Sequence, residues 1–530
     1  MTSYTGTAVS AAIAVALAGL AFSQDLRWAR QYDQVGETDR ATAMTTDADG
    51  NIYVTGTSEN DQSNDEIAVL KYTSSGSREW VARYASPGDD DAMVNAIAYA
   101  SYGQVVVVAG WEETGDNDIL VRAHLVSNGQ ADWEYRYNGS GYGDDDARAV
   151  AVGPDGRTYV AGSAIVDVGG RITRDLLVIC LDYQGHSEWV YTYDGPGNGR
   201  DEANDIVYGD DGNLYVAGFS EDTNDEDYDN LVISLTTDGD VRWLQTNDGP
   251  GNADDRLYAI TYGADGNIYA TGYQTNTNLD RDLYVLSRTS AGAFRWNYRV
   301  DPAGGTDRGR AITTLPNGDV WVAGDLWLTA TNTDMAMVRL NSAGGGAWIV
   351  TNHGTDSVID DRATDIGTLG GMVFAVGRSY NVGRGRDFTV FACSAANGRI
   401  AWSYAYDNDL VDDGVALATA GSGQLAAAGY KHVTGEADNF LILCFDPFTG
   451  VTERHPGGNN TNRDGHLRPN PFVGTARVQG RANEEFLLLD EVGRPLGRVR
   501  GDDIGRGLPA GVYFLKQDDH SAPVRIVKLR

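Results

Sequence analysis

The sequence predicts an all-β chain: an eight-bladed β-propeller, with seven blades as the alternative count, followed by a small immunoglobulin-like β-sandwich. Three observations lead there. Trp28, Trp80, Trp133, Trp189, Trp243, Trp296, Trp348 and Trp402 recur at intervals of 52 to 56 residues. Between successive tryptophans the features keep one order: an Asp-containing loop, an Ala-rich run, a D-G turn, a Y-V-x-G run, a polar loop ending in Asp, a third apolar run and a Gly turn. No helical period is sustained anywhere. Self-similarity at about this period marks solenoids and propellers, in which each repeat buries its apolar face only against its neighbours.

The chain begins with 23 residues that carry no charged side chain, and Ala8 to Phe22 is an apolar or small run too short to span a bilayer. Ala21 and Ser23 supply small residues at −3 and −1 of a cleavage site. Residues 1–23 therefore read as a signal peptide, and Gln24 as the start of the mature chain.

Residues 24–458 read as the propeller. In the third unit, Ala147 to Val152 is short and rich in small residues, Pro154-Asp155-Gly156 turns the chain, and Thr158 to Gly162 forms the second run. A polar loop leads to Asp175 and the apolar run Leu176 to Leu181, and a turn at Gly185 leads to the run of Trp189. Runs of this length, rich in Val, Ile, Tyr and Trp and separated by glycine turns, are strands. The small residues of the first strand suit the crowded axis, which places the Trp strand outermost. One glycine closes each second strand, from Gly56 and Gly110 to Gly377 and Gly429, and predicts a backbone position where a side chain would clash. The eighth unit has Arg454 where Trp is expected, whereas Trp28 belongs to a fourth strand with no first three. If that strand completes the last unit, the ring closes and no sheet edge stays open.

Two Asp classes recur on the loops of one face. Asp39, Asp145, Asp201, Asp255, Asp307, Asp361 and Asp412 precede the first strand, with Asp91 out of register in the second unit; Asp65, Asp118, Asp175 and their counterparts precede the third. Such residues order turns by accepting backbone N–H bonds. The sharper reading is Ca²⁺ held by oxygens from adjacent loops, with Asp145, Asp201 and Asp255 as candidates together with Asp222, Asp225 and Asp227 in the acidic 221–227 loop. Cys180, Cys393 and Cys444 lie in separate units and read as buried thiols.

Residues 459–469 form a Gly/Asn-rich linker, and residues 470–530 change pattern to short strands with turns at Gly493 and Gly511. The net charge of −34 is carried upstream of this tail, where 46 of 66 acidic residues fall in the loops of the one face. Such a body repels phosphate backbones, which excludes nucleic acid as a partner. No H-E-x-x-H, G-x-S-x-G or Cys–His signature appears, and no catalytic residue or organic cofactor is assigned.

The units resemble bacterial secreted propeller repeats reading D-x-A-x-A followed by G-N-x-Y-V-T-G-x-T; the matching residues are Asp39 to Ala43 and Gly50 to Thr57. The tail resembles the C-terminal sorting domain of type IX (Por) secretion cargo. Its matches are Asn470-Pro471-Phe472, then Asp490, Gly493 and Arg494 of a D-x-x-G-R turn, then Gly511 and Tyr513 of L-x-x-G-x-Y, and the basic end at Lys528. That resemblance implies export across both membranes through the secretion machinery, removal of the domain, and release or attachment at the outer cell surface. The functional expectation is a monomeric, non-enzymatic binding or scaffold module for an extracellular glycan or protein, without a transmembrane segment. The alternative is a secreted carbohydrate-active enzyme using two carboxylates of the acidic face.

Overall fold

The computed structural model describes residues 25–446 except 35, 89, 224–226, 329–331, 353, 355–359, 382–384, 407–409, 421–422 and 434–436, together with six short strands of the tail. The expected signal peptide lies outside the described residues. So do Asp225 and, of the sorting motif, Asn470, Pro471, Phe472, Asp490, Gly493 and Arg494.

Eight four-stranded antiparallel sheets follow one another along the chain. Blade one has the pattern of all: Asp39–Thr46, Ile52–Glu59, Asp65–Tyr72 and Arg78–Tyr84, in that spatial order. Blade eight differs. Its first three strands, Asp412–Ala420, Gln424–His432 and Asp438–Asp446, are completed by Asp25–Tyr32 from the other end of the chain. Trp28 faces Cys444 and Tyr32 faces Phe440 in that register. The N-terminal strand thus closes the ring at eight blades, and the alternative of seven falls away. The first strands touch one another all the way round, blade eight's meeting blade one's, so they are innermost as their small residues require.

The inner strand carries a bulge in every blade, for example between Ala41 and Ala43 or Ala203 and Asp205. The extra residue forces the inner backbone onto its neighbour. A Cβ on Gly218 would lie 1.9 Å from the Glu202 carbonyl oxygen, and the other seven second-strand glycines face the same contact at 1.9 to 2.0 Å. Glycine recurs there because nothing larger fits.

The outer edge repeats its own contact in five of the eight blades. Trp80 lays its indole on Gly129 of the next blade's last turn, where φ is +74° and a Cβ would come within 2.6 Å of the ring. Its indole N–H donates to the Val126 carbonyl at 3.0 Å. Trp189, Trp243 and Trp296 do the same to Thr237, Ser290 and Ser342. Trp28 does it to Ser74 at 3.1 Å, carrying the pattern across the ring closure. The apolar cores lie between adjacent blades: one joins Trp28, Phe440 and Ile442 of blade eight to Met44, Val54 and Leu70 of blade one. The three cysteines are separate, buried thiols.

Two expectations need correction. The stretch 163–175 is not a polar loop but a hairpin: strands Thr158–Val168 and Arg171–Leu181 meet at Gly169-Gly170, both at positive φ. And Asp91 is not the first-strand Asp moved out of register. Ala92, fully buried, holds that place, while Asp91 accepts the Asp65 N–H at 2.9 Å. Asp144 and Asp360 do the same for Asn117 and Thr333 of the preceding blades.

In the tail, Pro495–Arg500, Glu485–Leu489, Gly511–Lys516 and Val524–Lys528 form one four-stranded antiparallel sheet, and Leu467–Arg468 pairs with Arg477–Val478. Gly511 and Tyr513 lie on one strand of that sheet and Lys528 ends another. Among the described residues no helix is long and apolar enough to cross a membrane.

Candidate functional site

Antiparallel blades send the loops entering the first strand, and those between the second and third strands, to one face. That face is the acidic one. The Asp residues that precede the first strand are buried, and six of them accept backbone N–H groups. Asp39 accepts the Gln34 N–H at 2.7 Å, and Asp201 that of Gly195 at 2.8 Å. Asp145 takes N–H groups from Gly139 and Ile165, Asp255 from Gly249 and Thr275, and Asp361 from Gly354 and Tyr380. Asp307 takes that of Trp327. Each carboxylate ties the entering loop of its blade to the end of the second strand or to its own turn, as the turn-ordering reading expects. Burial pushes Asp39, Asp145 and Asp201 up to about 6, and Asp255 and Asp307 up to about 8, partly offset by those backbone bonds.

Two of these residues also meet carboxylates of the preceding blade. Between blades three and four, Asp175, Asp194 and Asp201 bring one oxygen each within 4.8 Å of the others. Asp229, Asp248 and Asp255 do the same between blades four and five. Burial raises Asp229 to about 7, and the charges of Asp248, Asp222 and Asp227 add to the rise. The structure thus gathers Asp222, Asp227 and Asp255 around one junction and places Asp201 at its neighbour. Asp145 joins no such group among the described residues. Three converging carboxylates in a partly desolvated place offer the hard oxygen ligands that suit Ca²⁺. Asp194 and Asp248 escaped the sequence reading although a signal existed: with Asp301 they follow the fourth strand in three successive units.

The axial channel is walled by the inner strands. The position after the bulge is alanine in six blades and aspartate in blades four and seven. Asp205 accepts the N–H of Ile260 at 2.8 Å and Asp365 that of Leu417 at 2.7 Å, each reaching the next blade. Burial raises them to about 7 and about 6. At the acidic mouth, where blades eight, one and two meet, a cavity of about 470 Å³ is lined by Arg40, Glu59, Asp65, Asp91, Met93 and Tyr430 among others. The Arg40 guanidinium donates to Asp438 at 2.6 Å and stands 5.2 Å from the centre of the Tyr430 ring. An aromatic face, a charged fork and carboxylates around one opening suit a polar ligand with apolar ring faces.

Known proteins match the scaffold. Residues 48–79, most of one repeat, match the family described as "Domain of unknown function (DUF5122) beta-propeller". The quinohemoprotein alcohol dehydrogenase of Comamonas testosteroni is similar in structure, with a TM-score of 0.50 and 14% identity over 84% of this chain and 79% of that one. The quinohemoprotein alcohol dehydrogenase ADHIIG of Pseudomonas putida HK5 gives 0.50 and 14% over 82% and 78%. No curated protein matches in sequence. At such identity the likeness is one of fold, and propellers host many functions.

Proposed function

We propose that the chain is an exported β-propeller that acts as a binding or scaffold module at the cell surface, taking an extracellular glycan or protein at the acidic mouth of its channel. The cavity beside Arg40 and Tyr430 carries this reading. It opens where the inner positions change from blade to blade, whereas the turn-ordering carboxylates are engaged by the backbone. A glycan array and a hydrolase screen on the full-length chain test it. Saturable binding without turnover is the expected result. Turnover that disappears on replacing Asp65 and Asp91 together, with the fold intact, would move the assignment to a carbohydrate-active enzyme.

The tail supports the export half of the proposal through its motifs and its slightly basic charge, set against the acidic ring. Under this reading residues 1–23 direct the chain out of the cytoplasm and the tail engages the secretion machinery. Deleting 461–530 should leave a folded propeller in the periplasm. Normal surface display of that truncation would remove the sorting role. Calcium at the Asp229–Asp248–Asp255 junction belongs to the same proposal, as a clamp between blades four and five.

A further inference from the structure

The acidic face has a basic spot inside it. Arg308 opens the inner strand of blade six, and Arg310 is that strand's bulge residue. Arg362 opens the inner strand of blade seven, and Arg378 is its partner on the second strand. Arg362 is half-buried, and the charges acting on it are those of Arg308, Arg310, Arg378 and Asp325. Burial is the main cause that lowers its pKa, and the neighbouring arginines add to it. Asp325 is already bound by Arg310. Asp413, the next carboxylate along the mouth, is shared by Arg378 at 3.7 Å, Arg386 at 3.3 Å and the Tyr430 hydroxyl.

Asp325 is thus shared between Arg310 and Arg362, and Asp413 between Arg378 and Arg386. The Nε atoms of Arg308 and Arg378 are buried without a hydrogen-bond partner, against one such acceptor beside them, the Oδ1 of Asp413. Buried donors left unmade are costly, and like charges held together cost more. Yet each of these side chains extends from a strand position fixed by the ladder. Forked N–H donors in excess of acceptors match the oxygens of a carboxylate or sulfate.

We propose that Arg308, Arg310, Arg362 and Arg378 form a binding site for a single oxyanion, the carboxylate or sulfate group of a small ligand or of a glycan end. The surroundings limit what can enter. A polyanion would meet the acidic rim, where most of the propeller's acidic residues lie, whereas one anionic group on an otherwise neutral body would not. In blade five, which adjoins blade six, the bulge position is Tyr258, whose ring packs on Tyr273 at 5.8 Å. That ring offers a face for a sugar.

The inference deepens the binding-module reading and rests on it. Calorimetry on the full-length chain at low salt, with glucuronate, inorganic sulfate and glucose as probes, tests it. Glucuronate should bind at least tenfold more tightly than glucose, and sulfate should compete with it. Arg362→Gln and Arg378→Gln should each weaken glucuronate at least tenfold, while Arg399→Gln on the outer surface should not. Without anion, Arg362→Gln should melt no lower than the parent chain, and it should lose the rise in melting temperature that sulfate gives the parent. Sulfate binding without preference for glucuronate over glucose would overturn the sugar part. Failure of both anions, or binding indifferent to both substitutions, would overturn the site. A chain that captures a neutral glycan on the array yet ignores glucuronate would keep the binding-module reading and lose this one.

Discussion

The outer edge of the ring and the mouth of its channel share the same eight backbones and fill them differently. At the edge, five tryptophans, Trp28, Trp80, Trp189, Trp243 and Trp296, lie on the turn glycine of the following blade and donate to a carbonyl there. At the mouth, the residue that follows the buried carboxylate position is arginine in four blades, acidic in three and methionine in one. Contacts repeated round the ring hold blades together, because each blade must solve the same packing problem. A position that changes from blade to blade is free of that demand. It is where a ligand can be recognised once on a repetitive scaffold.

Attacking the edge at its one non-consecutive joint should have the largest effect. Deleting 25–32 removes the fourth strand of blade eight and exposes Phe440 to Phe445 as an open edge. The urea transition should broaden or be lost, and the chain should aggregate on size-exclusion chromatography. Trp28→Ala, which keeps the strand, should cost ~3–5 kcal/mol, the range for a buried aromatic truncation, in the same melts. Wild-type behaviour in the deletion would mean that residues 451–455 supply the strand instead.

Next comes the second-strand glycine. Gly218→Ala forces a Cβ against the Glu202 carbonyl and should lower urea stability by about 2–3 kcal/mol, as overpacking does. The equivalent change at Gly36, at an exposed turn with no neighbour within 4 Å, should cost less through its positive φ alone.

The junction carboxylates should give a smaller effect that depends on pH. Asp229 and Asp255 have raised pKa values, so the folded chain holds protons that the unfolded chain has lost. Their protonated forms therefore favour folding at low pH, and that contribution is lost as pH rises from about 4 towards about 8. In chelator the melting temperature should fall across this window. Calcium should restore it, most strongly at the high end, and Asp248→Asn should reduce the restoration. A melting temperature that ignores both pH and calcium would leave these groups as turn-ordering residues alone.

The smallest change in stability should come from the mouth. Met93→Gln, lining the cavity, should change the unfolding free energy in urea by no more than ~0.5 kcal/mol, as surface substitutions usually do. It should nevertheless alter which glycan or protein the array retains. A large loss of stability there would erase the distinction between edge and mouth.

The fold was legible because repetition speaks eight times. Trp28 pointed to eight blades while leaving seven open, and the pairing of its strand with Asp438–Asp446 decided the count. The glycine that closes each second strand could be read as a clash from regularity alone, although the bulge that causes it could not. Spacing describes neighbours within one blade, and it fails across blades. Asp194 meets Asp175 and Asp201 only because adjacent strands fix their relative height. Arg378 faces Arg362 only through the register that the bulge shifts. Asp91 was misplaced for the same reason, because Ala92 had taken the position that the Asp pattern assigned to it. The hairpin of blade three was hidden by polar residues that the ladder accepts at its exposed end.

The closing strand also sets an order of events. Arg27 reaches Asp446 across 419 residues at 3.3 Å, so the first strand to leave the ribosome is among the last to find its place. Pairings this distant along the chain form slowly, although the entropy of closing a loop grows only with the logarithm of its length. Until Asp438–Asp446 has been made, the propeller is an unlatched stack with two open ends. The latch therefore shuts only after the last blade has arrived, and the ring cannot close around an unfinished chain.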